Sequence, residues 1–157
     1  MKNIFLRHAA KDDEMFLFKL VNDRECRKNS LNSKKIALED HEQWLNTILS
    51  SKSCQQYILM EEDVPIGQGR LELIGKGCRI SYSVIPQRRG CGYGKILLEL
   101  LNNAILEDFP SCAYSYGEVL QKNIASQKIF EELGYKAEKQ DNIFCYRKSV
   151  RQRVAGK

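Results

Sequence analysis

Between Gln87 and Lys95 the chain reads Gln-Arg-Arg-Gly-Cys-Gly-Tyr-Gly-Lys, with three glycines inside five residues and three cations around them. Glycine lets a backbone turn its N–H groups inward, and a helix starting at such a turn adds unpaired donors and the positive end of its dipole. That is the chemistry of an anion cradle, and it suits a bound phosphate. Two commoner phosphate motifs do not fit. A Walker loop needs a glycine five residues before its Gly-Lys pair, but Arg89 stands there before Gly94-Lys95, and Ile96 replaces the required Ser or Thr. A dinucleotide fingerprint, G-x-G-x-x-G, fails at Lys95 when read from Gly90 and at Leu97 when read from Gly92.

Positioning such a loop takes a strand before it and a helix after it. Arg79 to Ile85 alternates, with Ile80, Tyr82 and Val84 on one face and Ser81 and Ser83 on the other, and Pro86 closes it. Tyr93 to Glu107 then sets Leu97, Leu100, Leu101, Ala104 and Ile105 at helical spacing. Upstream, Ile4 to Arg7 is a short strand, and an Asp within Lys11–Asp13 caps a helix carrying Met15, Phe16, Phe18, Leu20 and Val21 that Asn22-Asp23 ends. A polar connection, Arg24 to Lys35, leads to a helix over Leu38 to Leu49. Gln56 to Glu61 and Pro65 to Ile74 are strands that form an antiparallel meander with Arg79 to Ile85. Downstream come a strand over Cys112 to Val119, a helix over Asn123 to Leu133 stopped by Gly134, and a last strand over Asn142 to Lys148. The pattern predicts one domain over residues 1–150 and a basic, disordered tail over 151–157.

Composition narrows the function classes. The 157 residues, 43% apolar and 29% charged, are enough for one domain with a sizeable core. A net charge of +5 with several of its basic residues in the stretch Arg147 to Lys157, and a tail without interleaved aromatics, argues for no nucleic-acid partner. The six cysteines form no C-x-x-C pair and no cluster with histidine, so no metal is expected and the thiols read as buried and reduced. Met1 to Ile4 opens no signal peptide and no run approaches a membrane span, so the expectation is a cytoplasmic protein without a membrane partner.

Gln87, Gly90 and Gly92 form a Q-x-x-G-x-G pattern between strand and helix, and some thirty residues on comes Asn123-Ile-Ala-Ser126-Gln-Lys-Ile-Phe130-Glu-Glu-Leu-Gly134-Tyr135. On these two motifs, spanning about Ser81 to Tyr135, and on the order of elements over nearly the whole chain, the sequence resembles the GNAT superfamily of acyl-CoA-dependent N-acyltransferases. The resemblance implies an α/β (α+β) fold. Its central sheet is mixed and mostly antiparallel, its fourth and fifth strands splay apart, and helices lie on both faces. The pantetheine arm of acetyl-CoA, the co-substrate, lies in the V between the splayed strands. By position, the backbone of Arg88, Arg89, Gly90, Cys91, Gly92, Tyr93 and Gly94 would hold the pyrophosphate, with Gln87 and Lys95 in the same loop. Ser83 and Val84 would pair with the pantetheine amides, and the Val84 N–H would meet the thioester oxygen. Asn123, Ser126 and Phe130 would line the other side of the arm.

Acetyl transfer to an amine needs a neutral amine, a stabilised oxyanion and a proton for the departing thiolate. Many members of the superfamily supply that proton from a tyrosine seven residues after the Asn, where this chain has Phe130, which cannot donate. Ser126 and Tyr82 are the substitutes, and Glu72 and Glu118 the candidate bases. Asn22-Asp23, Arg27 to Ser30, Glu39 to His41 and Trp44 resemble the acetyltransferases of nucleotide-linked amino sugars in nonulosonic acid pathways. That likeness implies Arg27 on a nucleotide phosphate and Asn29, Ser30 and His41 on sugar hydroxyls. The expected partner is therefore a small-molecule amine, and the protein a monomer or homodimer. Acetylation of protein N-termini, acetylation of polyamines or antibiotics, and acyl-CoA binding without turnover are the alternatives. The polyamine reading ranks lowest, because the first helices offer no dense acidic cluster.

Overall fold

The computed structural model describes residues 2–32 and 34–150, so the tail expected over 151–157 lies outside the described residues. In chain order the elements are β1 (Ile4–His8), α1 (Glu14–Val21), α2 (Arg24–Lys28), α3 (Leu38–Ser50), β2 (Cys54–Glu61), β3 (Val64–Ile74), β4 (Gly77–Val84), α4 (Tyr93–Asp108), β5 (Tyr114–Leu120), α5 (Ile124–Glu132), β6 (Lys136–Gln140) and β7 (Ile143–Ser149). The strands form one sheet in the order β1-β2-β3-β4-β5-β7-β6. Every neighbouring pair is antiparallel except β4 and β5. Alternation along β2 to β4 sends Tyr57, Leu59, Leu71 and Ile80 to one face, where Leu97, Leu98, Leu101 and Ile105 of α4 and Phe130 of α5 cover them. Each such leucine, fully buried, contributes roughly 1.5–3 kcal/mol. The opposite face is covered at the β1–β2 side, where Leu17 of α1 and Leu45 of α3 pack on Ile58 and Met60.

The splay is visible in the strand register. β4 pairs with β5 only at Gly77 with Tyr114, Cys78 with Ser115 and Arg79 with Tyr116. Its other edge stays paired with β3 as far as Val84. Beyond Arg79 the β5-facing edge of β4 therefore has no strand beside it. Which residues present that edge follows from one bond: the Ile85 N–H donates to the Ile66 oxygen at 2.9 Å. Gly67 and Val84 are thus a non-hydrogen-bonded pair, and alternation turns the backbone groups of Tyr82 and Val84 into the V while those of Ser81 and Ser83 face β3.

Three local expectations are corrected. The polar connection contains a helix, α2, because the Asp23 carboxylate accepts from the N–H groups of Glu25 and Cys26; the residue read as a stop is also a start. β6 was not expected at all, since Lys136–Gln140 is exposed at every position and shows no apolar alternation. Its pairing with β7 through the Asp141–Asn142 turn, with Asp141 at φ 49°, is what orders it. Asp13 does not cap α1 through its side chain. Its carboxylate accepts from the Ala10 N–H at 2.8 Å and from both terminal nitrogens of Arg7. The Arg7 bonds are the main reason that it lies below the usual carboxylate range. Of the cysteines, Cys54, Cys78 and Cys112 are buried as expected, whereas Cys91 is exposed.

Candidate active site

From the end of β4 the chain passes through a 3-10 turn, Pro86–Arg88, to Gly90 at φ 73° and Gly92 at φ 88°, a left-handed conformation that favours glycine. Gly92 is the N-cap of α4, and the Ile96 N–H returns to its oxygen. The N–H groups of Arg88 and Arg89 are already bonded, to Ile85 and Pro86 oxygens. Those from Gly90 through Lys95 meet no acceptor among the described residues. The cradle therefore begins two residues later than expected, and space around Gly90 and Gly92 is open to a ligand.

The loop's arginines brace it. Arg88 donates to the buried Glu61 at 3.0 and 2.8 Å, and the Tyr93 hydroxyl donates to the same carboxylate. Tyr93 first, then Arg88, hold Glu61 below the usual carboxylate range. Arg89 donates to Asp23 at 2.6 Å and to the Val84 oxygen at 3.1 Å, tying the start of α2 to the end of β4. Lys95 lies 3.9 Å from Glu132 in an exposed pair. Gln87 is exposed, and the Cys91 thiol is directed at the Arg89 oxygen, 3.4 Å away. The loop's unpaired donors from Gly90 to Lys95 are backbone N–H groups.

On the first wall of the V, the Val84 N–H is free to meet a ligand while its oxygen is held by Arg89. Ser83 differs from expectation: its backbone faces β3, and its hydroxyl accepts from Gln68 at 2.9 Å. Tyr82 takes its place at the unpaired edge. On the second wall, Asn123 caps α5 by accepting from the Ser126 N–H at 3.3 Å. The Ser126 hydroxyl and the Tyr82 hydroxyl lie 2.8 Å apart, bridging the two walls. Burial pushes Tyr82 up to about 12, against the Ser126 bond. Phe130 does not line the arm. It is 2% exposed, stacks on Tyr146 at 5.4 Å, meets Tyr135 edge-on at 5.0 Å, and its ring would be 2.3 Å from any Cβ placed on Gly117.

The face of the V away from α4 carries the candidate bases. Arg79 is 2.6 Å from Glu72 and 3.5 Å from Glu118, so one guanidinium gathers both carboxylates. Glu72 pairs with Arg79 across the sheet, about 16 Å along β4 from Val84 at ~3.3 Å per residue. Direct contact between Glu72 and a group at Val84 is out of reach. Glu118 stands two residues beyond Tyr116, further up the other wall.

Of the expected acceptor residues, Arg27 is spent on its own loop, donating to the oxygens of Val21, Asn32 and Lys34 and to the Ser30 hydroxyl. Ser30 in turn donates to the Cys26 oxygen at 2.6 Å. His41 is 2% exposed between Phe18 and Trp44, and neither ring nitrogen has a hydrogen-bond partner among the described residues. Burial lowers its pKa and keeps it neutral. Only Asn29 keeps access: it lines a cavity of about 320 Å³ between α2 and the start of α5, across from Asn123. The shared sheet face of Arg70 and Arg79 follows from the register of β3 with β4, which the sequence pattern did not supply.

Among the described residues no group of three or more His, Cys, Asp or Glu side chains could hold a metal ion, and no helix is long and apolar enough to cross a membrane. Comparison with curated proteins finds no match. Many solved structures share the fold. Spermidine N-acetyltransferase from Vibrio cholerae, in complex with CoA and spermine, matches at 16% identity with a TM-score of 0.84, over 96% of this chain and 98% of that one. A domain from Methanocaldococcus jannaschii matches at 18% identity and 0.82, over 95% and 99%. Aminoglycoside acetyltransferase AAC(6')-Ib, in complex with coenzyme A and kanamycin, matches at 17% and 0.79, over 98% and 99%. The family model of the acetyltransferase (GNAT) domain matches residues 3–136, from β1 to the start of β6, and takes in both the cradle and the V. The chain belongs to the GNAT family and is an acyl-CoA-dependent N-acetyltransferase.

Proposed function

We propose that the protein transfers the acetyl group of acetyl-CoA to a primary amine of a small molecule, in a ternary complex, and that the amine belongs to a nucleotide-linked amino sugar. The observation that carries the transfer is the unpaired edge at Tyr82 and Val84, continuous with the free N–H groups from Gly90 to Lys95. It offers amide donors and acceptors to a pantetheine arm and backbone donors to a pyrophosphate. The fold-mates that carry spermine and kanamycin support a small amine as acceptor. With Arg27 and Ser30 bonded within their own loop and His41 buried out of reach, Asn29 is what supports the sugar among the residues first considered.

The Val84 N–H donates to the thioester oxygen as charge develops there. The amine nitrogen bonds to the acetyl carbon as the carbon–sulfur bond breaks. Glu118 takes the amine's proton through water, and the Tyr82 hydroxyl, hydrogen-bonded to Ser126, gives a proton to the departing sulfur. The test is thiol release from acetyl-CoA over a panel of nucleotide-linked amino sugars, peptide N-termini and polyamines. Turnover with the sugars is expected. Turnover with peptides alone ends the sugar reading, and CoA binding with no turnover favours a regulatory domain.

A further inference from the structure

Among the described residues seven basic side chains are half-buried, and six of them have hydrogen-bond or ion-pair partners. Arg7 has Asp13, Arg27 its loop oxygens, Arg79 Glu72, Arg88 Glu61, Arg89 Asp23, and Lys148 the Leu133 oxygen. Arg70 has none among the described residues. Its guanidinium lies 5.3 Å from the ring centre of Trp44, a contact that supports one face of the fork and leaves its N–H donors unused. The nearest carboxylate along β3, Glu72, is taken by Arg79. Burial pushes the Arg70 guanidinium below its ordinary value by more than the attraction of Glu72 restores. An unmatched guanidinium in such a place loses more hydration than its contacts return.

Its position gives it a use. Arg70 is paired with Ser81 of β4, on the same face as Glu72, Arg79 and Ser83, the face that α4 and α5 leave open. We propose that Arg70, stacked on Trp44 and next to Ser81, binds an oxyanion of the acceptor, and that this anion is a phosphate separated from the reacting amine by a sugar ring. The spacing decides between sources. Ser81 lies three residues from Val84, about 10 Å at ~3.3 Å per residue. An amine and a phosphate on opposite sides of a sugar ring span such a distance, whereas the adjacent amine and carboxylate of an α-amino acid do not. A guanidinium fork is also the side chain that recognises phosphate by two parallel bonds. The identity of the acceptor rests on the sugar reading above, but the anion subsite does not.

Trp44 is the only tryptophan in the chain, so its fluorescence reports on the guanidinium stacked against it. Titration with inorganic phosphate and with glucose 1-phosphate, at ionic strength matched by chloride, is expected to give a saturable change in the wild type. The change should be absent in Arg70→Gln and weakened about tenfold in Arg70→Lys, which keeps the charge and loses the fork. No saturable change in the wild type, or the same change in Arg70→Gln with an unaltered melting temperature, overturns the proposal. In turnover, Arg70→Gln should lower kcat/KM for an amino-sugar phosphate by ~10²-fold and leave that for the methyl glycoside of the same sugar unchanged. An equal loss on both overturns the assignment. A selective loss on α-amino acids instead transfers the subsite to a carboxylate and overturns the phosphate. If no amine is acetylated at all, the function proposed above fails, while the fluorescence result still decides whether Arg70 binds an anion.

Discussion

Tyr82 is half-buried between α4 and α5, and the desolvation that raises its pKa to about 12 keeps the phenol protonated at every pH where the enzyme would work. Its use as a proton donor is lost only as pH rises through that value. Tyr82→Phe is expected to lower kcat by roughly 10- to 100-fold with little change in CoA affinity, measured by thiol release and by calorimetric titration. The empty role at Phe130 was legible in the sequence. The reason for it was not, because it depends on Gly117 passing against the ring tip, a contact between elements that no local pattern encodes. A hydroxyl added at that tip has no room, so Phe130→Tyr should destabilise the fold by about 1–3 kcal/mol in denaturant titration and leave kcat no higher.

The loop from Gly90 to Lys95 works through its backbone shape. Gly92→Ala forces a side chain into the left-handed region at φ 88°. The strain is roughly 1–2 kcal/mol, and CoA affinity is expected to fall about tenfold in the same calorimetric titration. Strands and helices with an apolar period, such as β4 and α4, could be read from the sequence to within a residue or two. α2 and β6 could not, for different reasons. α2 has no buried residue and exists through its Asp23 cap. β6 has only its hydrogen bonds to β7, and backbone pairing leaves no trace in side-chain type. Among the acceptor residues Arg27 differs from expectation on a similar ground, since it looks like a ligand-binding cation until its loop is seen to fold around it.

Across the whole molecule, three carboxylates fasten distant elements: Asp13 holds Arg7 of β1, Glu61 holds Arg88 and Tyr93, and Asp23 holds Arg89. All three lie below the usual carboxylate range; for Asp23, burial opposes the shift, and the Arg89 bond with two backbone N–H groups outweighs it. A depressed carboxylate contributes stability that is fully present above its unfolded value, about 4, and is lost as pH falls through the folded value. The denaturation midpoint should therefore begin to fall below about 6.5, where unfolding lets the buried neutral His41 take up a proton, and decline further below about 4, and Arg88→Gln should flatten the second decline. The mixed sheet and its splay were legible only through the family resemblance that the two sequence motifs carry. The open face was not, since what covers a strand from above is decided by packing rather than by the strand.

The three-pair seam between β4 and β5 has a consequence for amide hydrogen exchange. Past Arg79 only one edge of β4 is shielded, so protection along the strand should alternate in the free protein, with the Ser81 and Ser83 amides slow and those of Tyr82 and Val84 fast. With acetyl-CoA lying in the V the fast pair should slow and the alternation disappear, giving a two-residue rhythm whose loss measures occupancy without any acceptor present.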